Sequence, residues 1–464
     1  WRLEVTERMD SDGEVVRPLD EDGVRQTARQ LREAGVESLV IHFLHSYKND
    51  EHERRAEAIA REEWPNGFIT RGSALMSEYR EYERGTTAAI NASIQPVLHR
   101  YITRLQDELW DKGYRKDLLV MQGNGGTVSS AIVADRAINT VMSGPASGVM
   151  AAAYTGARCG FENIVTYDMG GTSSDVGLIQ GSIPATSSEL QLEYGMPIHV
   201  PMVDVHSIGA GGGSIAYVPE LTRALRVGPQ SAGAEPSPAA YGKGGAEPTV
   251  TDANVVLGYL PSGARLGGDM QLDYAAAERA MDKVAKAMGL GLKEAAEGII
   301  NIVNENMASA ARTHIAEQGL DARHFTMVAT GGAGPVHGVA VARRLRIREV
   351  MSPIASGVGS CLGFLAAPAR SDRSWSRVER LAELNAAELE QRIAAAQQTI
   401  SAELAEIGLP PMEICWRLAA EIRYHGQGDS VEVVLAQHSV IKIDPAGAVT
   451  AFETEYRRLY GRTV

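Results

Sequence analysis

Glycine occurs in clusters along this chain, and the clusters constrain the possible fold more than any other feature. The 464 residues include 48 glycines, roughly a tenth of the chain, whereas an average protein has about 7%. The clusters lie at 123–126, 144–148, 170–177, 209–213, 242–245 and 331–334. Several follow a short apolar run, which is typical of strands that end in tight turns where the backbone approaches another group closely. We therefore expect the functional residues in these turns.

The charge balance and the cysteines argue against several classes of protein. Lys plus Arg number 45 and Asp plus Glu number 58, which gives a net charge of -13. Nonspecific nucleic-acid binding needs a basic face, so we expect no nucleic-acid partner. Cys159, Cys361 and Cys415 are too far apart in the sequence to indicate a disulfide framework or a thiolate zinc site. Because no run of about 18 apolar residues and no signal-peptide pattern is found, we expect no membrane partner and a cytoplasmic location.

Strands and helices alternate along most of the chain, which predicts α/β architecture. The segment 163–182 predicts a β-hairpin, in which an apolar strand is followed by a Gly-Gly-Thr turn and a second strand. A hairpin makes two neighbouring strands antiparallel, so the sheet is expected to be mixed. Near 370–378 the composition changes towards a Glu/Ala-rich helix and two further strands, and we place a domain boundary there.

The strongest candidate site is the turn of that hairpin, with the sequence DMGGTSSD (168–175). Two glycines allow several backbone N–H groups to point at one place, which is how a nest binds phosphate. Asp168 and Asp175 flank the turn and could hold Mg²⁺ or orient a water, while the Thr172 hydroxyl could donate to a phosphate oxygen. The alternative is an ordinary hairpin turn, because Gly and Asp are common turn residues. The whole pattern at the end of an apolar strand favours the phosphate site.

Two further glycine turns are candidates for the same kind of site. The segment ATGGAGPVHG (329–338) follows a strand and opens a helix, which is where nucleotides bind in α/β folds, although close packing is an alternative. It lacks the acidic residue of a dinucleotide fingerprint, and His337 is more typical of a packed or capping residue than of a catalytic one. The segment SIGAGGGS (207–214) could hold a phosphate or clear space for a substrate.

Several segments of polar or small residues have both a structural and a functional interpretation. Asp204 and His206 are two residues apart on a predicted strand and so share a face. They could form an acid/base or metal pair, but two ligands do not make a site. The small residues of SGPASG (143–148) favour close helix packing. In the segment PTVTDAN (248–254), Thr251, Asp252 and Asn254 could cap a helix.

Taken together, these segments resemble one family, the hydantoinase A / 5-oxoprolinase / acetone carboxylase family of ATP-dependent proteins. The matching stretches occur in family order between about 70 and 365, and include SEYREYERGTTAAINASIQP, MQGNGGTV, SGPASGV, YDMGGTSSDVGLI, VDVHSIGAGGGSIA and ATGGAGPVHG. The resemblance implies an α/β, two-lobed actin-like/sugar-kinase-like ATPase fold with mixed sheets, plus a smaller C-terminal α/β region.

The resemblance also implies a domain division. Residues 1–135 would be the remainder of the N-terminal lobe, 136–375 the nucleotide-binding core of the second lobe, and 376–464 the C-terminal α/β region. The family carries another Asp-Gly-Gly-Thr hairpin, its first phosphate loop, near the amino terminus. No such motif precedes residue 168 here, so we expect that an amino-terminal segment is missing.

The cofactors implied by the resemblance are ATP and Mg²⁺, or Mn²⁺ in its place. Asp168 and Asp175 are similar to the family's catalytic carboxylates that bind the metal or orient a water. The residues similar to its nucleotide-binding residues form the second phosphate hairpin, the cleft lining and the adenosine-side turn: Gly170, Gly171, Thr172 and Ser173; Gly211, Gly212 and Gly213; and Gly331, Gly332 and Gly334.

The function implied is ATP-dependent hydrolysis of a cyclic amide, such as hydantoin or 5-oxoproline, through phosphorylation of the amide oxygen. The chain would be the A-type subunit of a hetero-oligomer whose B-type hydantoinase subunit completes the site. The alternative is a subunit of an ATP-dependent ketone carboxylase of the acetone or acetophenone type. A third reading, a nucleotide-dependent binding protein, is disfavoured because the sequence lacks an obvious peptide-binding β-domain or charged polymer interface.

Overall fold

The structure is a computed structural model that describes residues 1–192, 195–261, 263–437 and 443–463. Contacts between residues divide the chain into two compact units. The first unit comprises Trp1–Ser143, Ser187–Met202 and Pro368–Val464, and the second comprises Gly144–Thr186 and Val203–Ala367. The three-part division expected from the sequence stays a prediction, because packing alone does not test which segments fold independently.

The strands of the described residues are β1 (Arg8–Met9), β2 (Val15–Arg17), β3 (Leu39–Ile41), β4 (Ile69–Arg71), β5 (Leu119–Met121), β6 (Thr127–Ser129), β7 (Ile164–Met169), β8 (Ser174–Gln180), β9 (Ile183–Pro184), β10 (Thr186–Gln191), β11 (Pro197–Val203), β12 (Val205–Ile208), β13 (Ser214–Tyr217), β14 (Arg226–Ser231), β15 (Arg265–Leu266), β16 (Met270–Gln271), β17 (Thr326–Thr330), β18 (Val350–Met351), β19 (Arg417–Ile422) and β20 (Val431–Gln437).

The α-helices of the described residues are α1 (Glu21–Glu33), α2 (Glu51–Glu63), α3 (Gly72–Leu75), α4 (Glu81–Asp111), α5 (Ser130–Asp135), α6 (Ser143–Arg158), α7 (Val250–Val256), α8 (Tyr274–Met288), α9 (Leu292–Glu317), α10 (Gly334–Leu345), α11 (Gly359–Ala366), α12 (Ala386–Glu406) and α13 (Pro445–Tyr460). Among them, none is both long and apolar enough to cross a membrane.

The first unit is built from small sheets covered by helices. Strands β3 and β4 pair in parallel, and helices α1 and α2 bury their apolar faces in the same core. Helix α1 follows its sequence signals: the Asp20 side chain accepts from the Gly23 N–H, and Val24, Ala28 and Leu31 are buried. Near the end of the chain, β19 and β20 form an antiparallel pair.

The second unit contains a mixed sheet in the order β12-β8-β7-β17-β18, with β9 paired to β8. Strand β7 runs antiparallel to β8 and parallel to β17, so the predicted mixed sheet is confirmed. Every residue of β17 is buried, and β7 is buried except at Asp168. Continuous apolar strands of this kind are typical of central strands that are covered on both faces. The carboxyl ends of β7 and β17 lie at the same edge of the sheet, where their glycine turns begin.

Candidate functional site

The hairpin at 168–175 has the geometry expected from the sequence. Asp168 pairs directly with Asp175 across the two strands, and Met169 pairs with Ser174. The Gly170 N–H donates to the Ser173 carbonyl at 2.9 Å and closes the turn. The predicted hairpin is therefore confirmed, and its two carboxylates stand at the point where the strands diverge into the turn.

The tip of this hairpin has backbone donors that the protein does not use. Among the described residues, the N–H groups of Gly171, Thr172 and Ser173 have no acceptor. Gly171 and Thr172 are also exposed. Consecutive free N–H groups in a glycine turn carry positive partial charge and can donate to phosphate oxygens.

A row of four oxygen-bearing side chains crosses the sheet beside this turn. Strand register places Thr330 opposite Asp168, and Ser207 opposite Asp175. The Thr330 hydroxyl donates to Asp168 Oδ2 at 3.0 Å, and the Ser207 hydroxyl donates to Asp175 Oδ1 at 2.6 Å. Each carboxylate is therefore oriented by a hydroxyl from the strand on its outer side. No local pattern in the sequence marks Thr330 or Ser207 as a site residue, although each belongs to one of the glycine-rich segments 329–338 and 207–214.

The environment of the two carboxylates favours their protonated forms. Burial raises the pKa of Asp168, and the hydrogen bond from Thr330 opposes that rise. Burial likewise raises the pKa of Asp175; the Ser207 hydrogen bond opposes the rise and the neighbouring Asp168 charge adds to it. Buried carboxylates of like charge gain most when a cation binds beside them. The pair can therefore hold a divalent metal.

The second glycine loop packs on the hairpin backbone to backbone. The Gly212 N–H donates to the Gly170 carbonyl at 3.0 Å, and the Gly213 N–H donates to the Gly171 carbonyl at 2.6 Å. A Cβ at Gly211 would lie only 2.7 Å from the Gly171 carbonyl carbon, so a side chain there would collide with the turn. The loop thus adjoins the hairpin as expected, but the amides of Gly211, Gly212 and Gly213 are all used by the protein, since the Gly211 N–H donates to Ser214 Oγ at 2.9 Å. A direct role for Gly211–Gly213 in nucleotide binding stays a prediction.

The third glycine turn lies against the Asp168 end of the hairpin. Gly331 has a φ of +84°, and a Cβ there would lie 2.3 Å from the Met169 carbonyl oxygen and 2.5 Å from Asp168 Oδ1. The Ala333 N–H donates to the same Met169 carbonyl at 3.0 Å. Glycine is therefore required where the turn passes the carboxylate. The N–H groups of Gly332 and Gly334 have no acceptor among the described residues, which is consistent with their predicted place in the site.

One glycine that the sequence analysis explained by helix packing also adjoins the site. Gly148 lies in α6, and a Cβ at this position would be 3.3 Å from Asp168 Oδ2. Packing is part of the explanation, since the whole Ala-rich stretch of α6 is largely buried. The close approach to the carboxylate is an additional requirement for a small residue that no local sequence signal reveals.

His337 belongs to a buried polar network rather than to the reactive surface. Its Nδ1 lies 2.8 Å from Asn304 Oδ1 and its Nε2 lies 3.0 Å from Asn254 Nδ2. Burial lowers the pKa of His337 to about 4, so the ring is neutral at pH 7. With its proton on Nδ1 the ring donates to Asn304 and accepts from Asn254. The interpretation of His337 as a packed residue fits this geometry.

The segment 248–254 contains a helix cap, as expected, but Thr249 is the cap residue. The Thr249 hydroxyl accepts from the Asp252 N–H, and the Asp252 carboxylate accepts in turn from the Thr249 N–H at 2.9 Å. These reciprocal bonds form a capping box at the start of α7. The Thr251 hydroxyl instead donates to the Gly212 carbonyl at 2.8 Å, which ties α7 to the glycine loop beside the hairpin.

Asp204 and His206 contact helix α9. The His206 ring stacks on His314 with 5.8 Å between ring centres, and Gln318 Nε2 donates to Asp204 Oδ2 at 3.0 Å. His314 Nε2 lies 3.8 Å from the same oxygen. Within the described part of the chain, no group of three or more His, Cys, Asp or Glu side chains has an arrangement that could hold a metal.

The residues around the hairpin fit ATP with a divalent metal. Mg²⁺ is usually held by one or two protein carboxylates together with substrate phosphates, so Asp168 and Asp175 form a sufficient protein contribution. The free N–H groups of Gly171, Thr172 and Ser173 supply donors for phosphate oxygens. The donor set thus matches a metal–polyphosphate complex.

Comparisons with known families agree with the resemblance found in the sequence. The sequence model of the Hydantoinase/oxoprolinase family matches residues 84–373, and the model of the Hydantoinase/oxoprolinase N-terminal region matches residues 1–64. The first match alone covers more than half of the chain.

Characterised relatives include lactam-hydrolysing and ketone-carboxylating proteins. Caprolactamase subunit alpha of Pseudomonas jessenii is 36% identical over 98% of this chain, which spans 65% of that relative. Acetophenone carboxylase gamma subunit of Aromatoleum aromaticum is 41% identical over 72% of this chain, which spans 46% of that relative. The chain therefore spans less than two thirds of the length of either relative.

Solved structures show the same likeness. The crystal structure of the ATP-dependent caprolactamase from Pseudomonas jessenii superposes with a TM-score of 0.86 at 34% identity, covering 98% of this chain and 66% of that one. The nucleotide-free acetone carboxylase superposes with a TM-score of 0.74 at 30% identity, covering 99% of this chain and 67% of that one. The mixed sheet and these neighbours confirm the expected actin-like ATPase fold.

Proposed function

Because this chain belongs to the hydantoinase/oxoprolinase family, we propose that it binds ATP and Mg²⁺ at the 168–175 hairpin and uses ATP to open a cyclic amide. The observation that carries the proposal is the run of three free N–H groups at Gly171, Thr172 and Ser173 beside two half-buried carboxylates. A hairpin with only a structural role would not need both features on one exposed turn.

Each part of the hairpin has a distinct task in this proposal. The free N–H groups and the Thr172 hydroxyl neutralise and orient the phosphates. Asp168 and Asp175, held by Thr330 and Ser207, would bind the metal. When bound, Mg·ATP supplies a phosphoryl group to the amide oxygen, which makes the amide carbon more open to attack by water.

A lactam or related cyclic amide is the favoured substrate class. Support comes from the caprolactamase relative, which matches nearly the whole of this chain in sequence and in structure. The second candidate is ATP-dependent carboxylation of a ketone. It is favoured by the acetophenone carboxylase subunit, whose identity of 41% is higher but extends over less of the chain.

A companion subunit of the B type completes the proposed enzyme. Support comes from the relatives, which are named as subunits of caprolactamase and of acetophenone carboxylase. In this arrangement the chain described here activates ATP, and substrate recognition involves groups from the companion.

The test is ADP release by the protein purified together with its companion subunit. Caprolactam, hydantoin and 5-oxoproline are compared with acetone and acetophenone, each with and without bicarbonate. The proposal expects a cyclic amide to stimulate ADP release, with a ring-opened product and no need for bicarbonate. Stimulation only by a ketone together with bicarbonate would support the carboxylase instead, and ATP cleavage unaffected by every compound would contradict both.

A further inference from the structure

A basic cavity lies in the second unit, at the end of β17 opposite the candidate nucleotide site. Its volume is about 610 Å³, and its walls come from the C-terminal ends of α9 and α10 and from residues 320–323. Those residues precede Thr326, where β17 begins, whereas the candidate site follows Thr330, where it ends. Because a five-residue strand is about 16 Å long, the cavity is separate from the candidate site.

The lining of this cavity is strongly positive. Arg312, Arg323, Arg344 and Arg346 line it together with Asp321, and Glu305 pairs with two of these arginines, so four positive charges face two negative charges and the difference is +2. The whole chain, in contrast, has a net charge of -13. A cavity of one sign of charge focuses the electric field and raises the local concentration of oppositely charged ligands.

Three of these guanidinium groups have partners within the protein. Arg323 forms an ion pair with Asp321, with Nη2 and Oδ2 2.5 Å apart. Arg344 and Arg312 share Glu305, at N–O distances of 3.2 Å and 3.7 Å. These pairs fix the walls of the cavity and still leave further N–H donors, because each guanidinium carries five.

Of the four arginines that line the cavity, Arg346 is the one with no side-chain partner in the part of the chain that the structure describes, and it is exposed. It directly follows α10 in a left-handed backbone conformation with φ +61°. Glycine is the usual residue at this position after a helix, because a side chain disfavours positive φ. The arginine is therefore placed at the cavity against the local backbone preference.

Compensation of helix dipoles explains only part of this charge. Cations near a helix C-terminus are favourable, which accounts for Arg344 in the last turn of α10. Arg346 directly follows α10 and gains from the same dipole, whereas Arg323 lies outside the α-helices and pairs with Asp321. Apolar side chains of Ile315, Leu320 and Leu345 also line the cavity, which gives it an amphipathic character.

We propose that this cavity binds a small organic anion whose carboxylate or phosphate groups pair with Arg346 and the neighbouring arginines. Guanidinium forks bind both groups in a bidentate manner, and a short apolar body of the ligand would contact Leu320. The site requires neither ATP nor the 168–175 hairpin, so it is independent of the proposed function.

The test is isothermal titration of the protein with two probes, glutarate for a dicarboxylate and inorganic phosphate for a phosphate group, at constant ionic strength. The main variant is Arg346→Gly, which removes the charge and restores the residue that the backbone favours, so its folding is expected to be at least as good. We expect binding of the preferred probe to weaken by about tenfold or more, as for loss of a charge-assisted hydrogen bond.

The matched control is Arg343→Gln, which removes one positive charge from the last turn of α10 but does not line the cavity. It is expected to bind like the unaltered protein. Saturable binding of glutarate alone would identify a carboxylate ligand, and saturable binding of phosphate alone a phosphate ligand, provided that Arg346→Gly weakens it. Equal affinity in Arg346→Gly and Arg343→Gln, or no saturable binding of either probe, would overturn the proposal.

Discussion

The two carboxylates of the hairpin are held in an environment that is unfavourable for their own charge. Asp168 and Asp175 are opposite each other on paired strands, and burial raises the pKa of both. An arrangement that disfavours charge in the free protein is typical of functional sites, where a ligand supplies the missing compensation. The predictions for these two residues follow from the unfavourable free energy of their charged forms in the folded protein.

Replacing Asp168 or Asp175 with Asn is expected to separate activity from stability. Asn keeps an oxygen that can accept from Thr330 or Ser207 but removes the half-buried charge. Substrate-stimulated ADP release should fall by about 100-fold or more. Because the pKa of each carboxyl is raised in the folded state, its charged form destabilises the fold at neutral pH, so the thermal midpoint should stay constant or rise by a few degrees.

The control for this pair is Asp269→Asn, which alters an exposed carboxylate in the turn between β15 and β16 of the same unit. Its turnover and thermal midpoint should match those of the unaltered protein. Normal turnover in both hairpin variants would show that neither carboxylate takes part in ATP cleavage.

Thr330→Val is expected to move the acidic limit of activity towards higher pH. The Thr330 hydrogen bond lowers the pKa of Asp168, so its removal raises that pKa further. The acidic limb of kcat/KM for ATP should shift upward by about 0.5–1 pH unit, the equivalent of one hydrogen bond. Thr326→Val, at the other end of β17, removes a hydroxyl that donates to Glu349. This variant should not shift the acidic limb of the kcat/KM profile. An equal shift in both variants would refute the coupling of Thr330 to Asp168.

At the scale of elements, three glycine turns meet because their backbones pack against one another. Gly212 and Gly213 donate to the hairpin carbonyls, and Gly331 passes close to Met169 and Asp168. The glycine clusters predicted that these turns are tight. Their mutual packing depends on strand order, which no local pattern specifies, and so Thr330, Ser207 and Gly148 could be recognised as neighbours of the carboxylates only from the fold.

Gly331→Ala is expected to destabilise the protein and weaken ATP binding. Its positive φ disfavours a side chain, and the new Cβ would also collide with the Met169 carbonyl, for a total cost of about 2–4 kcal/mol. The matched variant is Gly289→Ala, because Gly289 has φ +66° but no atom within 4 Å of the added Cβ. Chemical unfolding should show the larger loss for Gly331→Ala. Equal losses would mean that contact with the hairpin end is unimportant.

The network that joins α7, α9 and α10 predicts a loss of stability in acid. His337 has a folded-state pKa of about 4, below the value of about 6.5 for an unfolded chain. Between these pH values the unfolded state therefore binds more protons than the folded state. The contribution of His337 to the free energy of unfolding is complete above about pH 6.5. That contribution is lost as the pH falls towards 4, by on the order of 3 kcal/mol.

Urea unfolding between pH 7 and pH 4 checks this prediction. His337→Gln should remove that part of the pH dependence, whereas His324→Gln, at an exposed histidine of the same unit, should retain it. A pH dependence that is unchanged in His337→Gln would show that His337 is not the group responsible.

Local sequence signals explain helix α1 but do not explain why helix α4 continues through a proline. Helix α1 forms where its own sequence supplies a cap and an apolar stripe. Proline inside a helix removes a backbone hydrogen bond and disfavours continuation, yet α4 is not divided at Pro96. Burial of Ala88, Ala92 and Pro96 along this helix indicates that tertiary packing outweighs the local preference against proline.

At the scale of the whole molecule, the order of motifs predicted the family and the fold class, because each glycine turn has a fixed place in the family. The composition of the two units was not predictable in the same way. The chain leaves the second unit after Thr186, returns at Val203, and leaves again at Ala367. Contacts between residues far apart in the sequence determine where the chain passes between the units. Sequence patterns indicate only the local structure of neighbouring residues.

The central claim is that the N–H groups of Gly171, Thr172 and Ser173 hold the phosphates of ATP. Its most direct test is a crystal structure of the protein with its companion subunit, Mg²⁺ and a non-hydrolysable ATP analogue. We expect phosphate oxygens within hydrogen-bond distance of these three amides and the metal bound to Asp168 or Asp175. A triphosphate bound elsewhere, with the three amides facing only solvent, would contradict it.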